Sequence, residues 1–108
     1  MQNDAMLIQL GYTPNETLVK QLKAIKENTK NYEKIEKHIM DLHDHLKVHN
    51  GYVAMSNSKD HLKIKVEATE PQSIVEANEK IHYFSQKYKV AIEKLPNKET
   101  YYILGFEH

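Results

Sequence analysis

Residues 13–51 read TPNETLVKQLKAIKENTKNYEKIEKHIMDLHDHLKVHNG, and this stretch decides the fold. Its first four residues have the pattern of a capping box with proline at the first helical position, so we predict a helix start capped by Thr13, with Glu16 as the reciprocal partner. Asn50 and Gly51 predict a left-handed stop at its other end. A continuous helix of this span would be about 54 Å long, whereas a six-residue strand reaches about 20 Å. The helix therefore exceeds what one sheet can cover.

An apolar stripe follows this segment at spacings of three and four residues. Its members are Leu18, Leu22, Ile25, Thr29, Tyr32, Ile35, Ile39, Leu42 and Leu46. Two successive steps of three, between Thr29 and Ile35, swing the stripe around the helix and favour a break near residues 28–31. We expect one of two outcomes: either the helix breaks there into a hairpin, or it is continuous and buries its stripe against a second copy of the chain.

Beyond Gly51 the hydrophobic period changes from that of a helix to that of a strand. Residues 52–56 and 61–67 predict two strands joined by a polar turn, and strict alternation in the second places Leu62, Ile64 and Val66 toward a core. The opposite face of that strand is polar. Its members are His61, Lys63, Lys65 and Glu67.

The remaining segments complete the predicted fold. Apolar residues at helical spacing predict a helix from Pro71 to Tyr88, residues 89–95 and 100–106 predict a second hairpin, and Ala5–Leu10 is interpreted as a first strand. The order β-α-β-β-α-β-β predicts a single α+β domain over residues 1–108, a two-layer ferredoxin-like split βαβ sheet with an overlong or broken first helix. A fold of this kind implies no function by itself.

The composition excludes several kinds of site and partner. With no cysteine, the chain can form neither disulfides nor thiolate metal centres, which fits a reducing compartment. Fifteen lysines balance fifteen acids and there is no arginine, so strong attraction to nucleic acid is not expected. The first residues lack the basic region of a signal peptide, and no stretch approaches the roughly 20 apolar residues of a membrane span. We therefore expect a cytoplasmic protein without a membrane partner.

Four histidines lie near the end of the long helical segment. At about 100° per residue, one band holds His38, Asp41, His45 and His49. His45 and His49 are four residues apart, a spacing at which two imidazoles can bind one Zn²⁺ or Ni²⁺. His61, His82 or a second subunit would have to supply a further ligand. The alternative is that these histidines are solvated and interact with the helix dipole near its C-terminus.

Lysines form a second pattern on the opposite helix face, where a continuous helix would carry a basic ridge about 25 Å long. Its members are Lys20, Lys23, Lys26, Lys30, Lys34 and Lys37. The ridge could follow a phosphate backbone, but Glu16 lies four residues before Lys20, which favours intrahelical ion pairs and a solvated face. The predicted strands also carry Tyr52, Tyr101 and Tyr102, which either pack on the helices or meet a partner.

No catalytic motif is recognisable. The serines lack the glycine-flanked elbow of a nucleophile, and three glycines are too few for a phosphate cradle. Glu107-His108 could be native or belong to a tag, so we assign no chemistry there. The sequence thus predicts a small non-enzymatic protein-binding module, a regulator, adaptor or inhibitor, homodimeric through its first helix and with a partner of unknown identity. A histidine-based metal sensor or chaperone and a lysine-mediated nucleic-acid-binding protein are the alternatives.

Overall fold

The computed structural model describes residues 1–107, which form four α-helices and one four-stranded antiparallel sheet. The helices are α1 (Asn3–Gln9), α2 (Glu16–Asn28), α3 (Glu36–His45) and α4 (Pro71–Tyr88). The strands are β1 (Gly51–Met55), β2 (Leu62–Val66), β3 (Val90–Lys94) and β4 (Thr100–Phe106). The α+β class is confirmed. The ferredoxin-like topology is not, because the first predicted strand is absent from residues 1–107 and the sheet order is β1-β2-β4-β3.

The segment Ala5–Leu10 is helical, so the strand predicted there is wrong. Met6, Leu7 and Leu10 are buried, whereas Ile8 is 62% exposed. A half-buried strand would bury residues 6, 8 and 10 together. The residues buried instead, 6, 7 and 10, are one, three and four positions apart, which places them on one face of a helix. This face of α1 packs into the same hydrophobic core as α2.

The long helical segment is broken within residues 28–31, which confirms the predicted break. The predicted hairpin is not formed, because α2 packs mainly on α1 and β1 whereas α3 packs on β1 and α4. Helix α2 ends at Asn28, Thr29 is extended, and Asn31 is in the left-handed region at φ 50°. A 3-10 turn over Tyr32–Lys34 leads into α3, and a second over Lys47–His49 follows it. Asn50 then takes a φ of 53°, as predicted for the helix stop.

Because of this break, both halves of the apolar stripe are buried within the chain. Leu22 and Ile25 of α2 and Ile39 and Leu42 of α3 join one core cluster with the sheet. Two shorter helices can follow the sheet where one rod of about 54 Å could not. The surplus apolar face on which the predicted homodimer depended is therefore covered without a second copy.

Helix α2 is capped by Asn15, and the predicted cap at Thr13 is wrong by two residues. The Asn15 side-chain oxygen accepts a hydrogen bond from the backbone N–H of Leu18 at 2.8 Å. Glu16 is consequently the first helical residue, so it cannot close the predicted capping box.

Replacing the cap should weaken the helix. We expect Asn15→Ala to lower the free energy of unfolding by about 1 kcal/mol, since it removes the acceptor for an otherwise unpaired N–H. Urea denaturation followed by circular dichroism measures this loss. The matched control is Thr13→Ala, for which we expect a change within about 0.5 kcal/mol. A larger loss in the control would show that Thr13 is the cap after all.

The sheet has one face in the core and one face outside it. In β2, Leu62, Ile64 and Val66 are buried beneath the helices, while Lys63 and Lys65 are only partly covered, as the alternation predicted. Helix α3 packs on β1 and helix α4 on β3. The two helices also contact each other, and the surface between them forms a groove.

The break between α2 and α3 is attached directly to β4. Lys30 pairs with Gly105, and the Phe106 N–H donates to the carbonyl of Lys30 at 2.8 Å. Gly105 has a φ of 147°, and a Cβ built there would lie 2.7 Å from the Lys30 nitrogen. The backbone of residue 30 can approach β4 only because residue 105 has no side chain.

Candidate functional site

A groove of about 600 Å³ runs between α3 and α4. The residues that line it are His38, Asp41, Leu42, His45, Glu76, Glu79, Lys80, Tyr83, Phe84 and Tyr88. Leu42 and Phe84 are almost fully buried beneath it, and Tyr83 stands beside them with 59% of its surface exposed. A concave apolar floor next to an exposed aromatic side chain is typical of a binding site.

The rim of the groove is mainly acidic. Asp41, Glu76 and Glu79 are exposed carboxylates, and the ammonium of Lys80 is held by the backbone carbonyl of His45 at 3.3 Å. At the far end of α4, the ammonium of Lys87 lies over the rings of two tyrosines that line the groove, 5.3 and 5.6 Å from their centroids. Three carboxylates therefore stand against the one ammonium of Lys80 along the lining of the groove.

His38 has a structural contact in this groove. Its ring stacks on Tyr88 with centroids 3.6 Å apart and planes 9° from parallel. This contact holds α3 against the end of α4 and closes one end of the groove.

The structure brings three of the four predicted metal ligands to the groove and separates the fourth. His38, Asp41 and His45 line it, whereas the buried His49 is hydrogen-bonded through Nδ1 to the Ser73 hydroxyl at 2.7 Å. The separation has a physical cause: residues 47–49 are in a 3-10 turn, so the four-residue spacing of an α-helix does not continue to His49. Over residues 1–107, no three His, Asp or Glu side chains are grouped so that they could hold a metal ion. Metal binding by this set stays a prediction.

His43 lies in the same part of the sequence as the predicted metal ligands but was not predicted to be one of them. Its side chain is buried. Its Nδ1 accepts a hydrogen bond from the Val53 N–H at 2.9 Å, so the proton must be on Nε2, which donates to the Gln9 carbonyl at 3.0 Å. Burial lowers the pKa of His43, as does nearby Lys47, against the opposing effects of the Gln9 carbonyl and Asp44. His43 thus links α1, α3 and β1 as a neutral ring.

The six predicted ridge lysines do not form one stripe, because the helix that was to carry them is broken. Three belong to α2, Lys30 lies in the break, Lys34 in the 3-10 turn and Lys37 in α3. Lys20 pairs with Glu16 at 3.4 Å, as the spacing suggested. Lys26 pairs with Glu36 at 3.4 Å. Binding of an anionic surface by these lysines stays a prediction. The continuous basic ridge, predicted to be about 25 Å long, is wrong.

The three predicted partner-surface tyrosines lie on two different faces of the sheet. Tyr101 is buried toward α4, where its hydroxyl donates to the Asn78 side-chain oxygen at 2.9 Å. Tyr52 pairs across strands with Lys65, and Tyr102 pairs with Lys63, so both belong to the face away from α4. Tyr101 therefore cannot form a partner surface together with the other two.

Comparison with known proteins adds no further assignment: no protein-family model matches the chain, and neither the curated proteins nor the solved structures give a significant match. In residues 1–107, no helix combines the length and apolar character needed to cross a membrane. The groove between α3 and α4 was not predicted, because it depends on how two distant helices pack. The relevant sequence signal was the series of exposed residues Glu76, Glu79 and Tyr83 along α4.

Proposed function

We propose that the chain is a non-enzymatic protein-binding module whose groove between α3 and α4 takes a basic amphipathic helix from its partner. The observation that carries this proposal is the combination of an apolar floor at Leu42 and Phe84 with an acidic rim. A helix in a groove places apolar residues at positions i, i+3 and i+4 against the floor and its other residues toward the rim. Lysine or arginine at those outer positions would match Asp41, Glu76 and Glu79 in charge.

Tyr83 is the expected anchor of this interaction. Exposed tyrosines contribute large apolar area and a hydroxyl group at little entropic cost, and such residues dominate the energetics of many interfaces.

The proposal is tested with a synthetic 18-residue peptide that places leucine at i, i+3, i+4 and i+7 and lysine elsewhere, labelled for fluorescence anisotropy. We expect micromolar binding that weakens about tenfold in Glu79→Lys, because one attractive charge becomes repulsive. The matched control is Glu27→Lys, which makes the same change of net charge on the exposed surface of α2. Equal loss in both variants would contradict a groove-specific interaction.

A second peptide, with glutamate in place of lysine, separates charge complementarity from hydrophobic adhesion. It should bind at least tenfold more weakly than the basic peptide at low salt. Chemical-shift changes confined to α3 and α4 would support the proposed groove. Changes on the opposite face of the sheet would overturn it.

Self-association is the competing use of this surface, and the homodimer stays a prediction. Light scattering coupled to size-exclusion chromatography measures it directly. A dimer that Tyr83→Ala dissociates would mean that a second copy, and not a partner helix, occupies the groove. A monomer at the concentration of the peptide titration leaves the groove available to the peptide and supports the proposed function.

A further inference from the structure

A second concave surface lies on the face of the sheet away from α3 and α4. It is a cleft of about 580 Å³ bounded by the β1–β2 turn at one end and by the β3–β4 turn at the other. Side chains of the central strands β2 and β4 form its floor. The residues that line it are Ser56, Asn57, Ser58, Lys63, Lys65, Val66, Leu95, Lys98, Glu99, Thr100 and Tyr102.

The charge of this cleft is positive. Three lysines line it, and among residues 1–107 no carboxylate lies within 4.0 Å of the ammonium of Lys63 or Lys98. The ammonium of Lys65 is 3.8 Å from Glu67. Glu99 is the acidic residue of the lining. Its carboxylate accepts a hydrogen bond at 3.2 Å from the side chain of Asn78, which belongs to α4. Lys63 and Lys98 thus line the cleft without a carboxylate partner in the described part of the chain.

Hydroxyl groups form a connected row at the end of the cleft where Lys63 pairs with Tyr102 across the strands. The Tyr102 hydroxyl is 3.3 Å from the Ser58 hydroxyl, which is 3.3 Å from the hydroxyl of the buried Ser56. The Ser56 oxygen also accepts hydrogen bonds from the backbone N–H groups of Ser58 and Lys59. These bonds hold the β1–β2 turn against β4, so the cleft is fixed before any ligand arrives.

The surroundings of Tyr102 are consistent with a site for negative charge. Its pKa is lowered chiefly because Ser58 and Ser56 hydrogen-bond its oxygen; burial opposes this, and nearby Lys59 and Lys63 lower the pKa by smaller amounts. The ammonium of Lys59 is 5.6 Å from the centre of the ring. The positive charges of Lys59 and Lys63 near Tyr102 would also attract an anionic oxygen bound beside it.

We propose that this cleft binds the phosphate group of a small phosphorylated molecule. Lys63, across from Tyr102 and next to the Ser58 hydroxyl row, can provide with those hydroxyls the charge-assisted hydrogen bonds that phosphate oxygens accept, while Lys65 and Lys98 add positive charge farther along the cleft. A cleft of this volume is also within the range of small-molecule sites. A single nucleic-acid strand fits it less well, because Tyr102 is only 7% exposed and cannot serve as a stacking platform.

The test uses pyrophosphate as the probe and the full chain labelled with nitrogen-15. Pyrophosphate should shift the amide resonances of residues 56–59, 63 and 98–102, with saturation below about 10 mM. In Lys63→Gln the affinity should fall about tenfold, since one charge-assisted hydrogen bond is lost. Lys20→Gln, on the exposed surface of α2, should leave the affinity unchanged and serves as the matched control.

Three further results decide the question. The variant Ser58→Ala should also weaken binding while the far-ultraviolet circular dichroism stays that of the native protein, which separates ligand contact from loss of fold. Adenosine should cause no shifts in the cleft and AMP should cause them, because the phosphate is the recognised group. Absence of cleft shifts with pyrophosphate would overturn the proposal. So would an oligouridine strand that binds more than tenfold tighter than both phosphate probes and shifts α2 as well as the cleft.

Discussion

Gly105→Ala is expected to lower the free energy of unfolding by about 3 kcal/mol or more. Two effects combine. Gly105 has a φ of 147°, which an alanine rarely adopts, and the new Cβ would lie 2.7 Å from the backbone nitrogen of Lys30 and 3.0 Å from its carbonyl oxygen. Neither obstacle is the end of a flexible side chain, so the segment around residue 30 must separate from β4. Chemical denaturation at 25 °C measures the loss.

Gly11→Ala isolates the conformational part of this effect. Gly11 also has a positive φ, at 97°, but a Cβ there would meet no atom within 4 Å. We expect a loss of about 1 to 2 kcal/mol, from backbone strain alone. Equal losses in the two variants would show that the contact between residues 30 and 105 contributes nothing to stability.

His43→Ala is expected to lower the free energy of unfolding at pH 7.5 by about 2 to 4 kcal/mol. The substitution leaves the buried N–H of Val53 and the carbonyl of Gln9 without their partners and opens a cavity where α1, α3 and β1 meet. His45→Ala, two residues along the same helix but exposed, should change stability by less than about 0.5 kcal/mol. Similar losses in the two variants would contradict the structural role of His43.

The same substitution should change the pH dependence of stability. Because burial holds the pKa of His43 below its unfolded value of about 6.5, the unfolded chain binds more protons than the native one as pH falls through and below that value. The contribution of His43 is therefore present above pH 6.5 and declines in more acidic solution. The difference between wild type and His43→Ala should be smaller at pH 5 than at pH 7.5. His43→Asn, whose side-chain oxygen can still accept from Val53, should restore part of the stability without that decline.

Local sequence patterns predicted the sheet hairpins and α4 well. The alternation of residues 61–67 and the proline at position 71 are signals that act over a few residues, and the structure places β2 and α4 accordingly. The short apolar run at residues 5–10 was ambiguous, since its length fits either a strand or two turns of helix. In the structure this run forms helix α1, which packs against α2.

The functional surfaces were less predictable, because each depends on residues far apart in the sequence. The acidic groove requires the approach of α3 to α4, and the cationic cleft requires the register that places Lys63 beside Tyr102. The prediction that His49 lies on the same helix face as His38 and His45 was wrong for a local reason. Residues 47–49 form a 3-10 turn and not a continuation of α3. Periodicity extrapolates one helical geometry and cannot detect such a change.

The position of β4 matters for how the protein is made. This strand lies between β2 and β3 and also receives the segment at residue 30, yet a ribosome produces it after every other described element. Until it leaves the exit tunnel, β2 and β3 have no shared neighbour and the apolar faces of α2, α3 and α4 lack their central support. A nascent chain stalled at about residue 99 therefore exposes the hydrophobic surfaces of these helices. Chaperones that hold unfolded chains bind exposed hydrophobic surface of this kind.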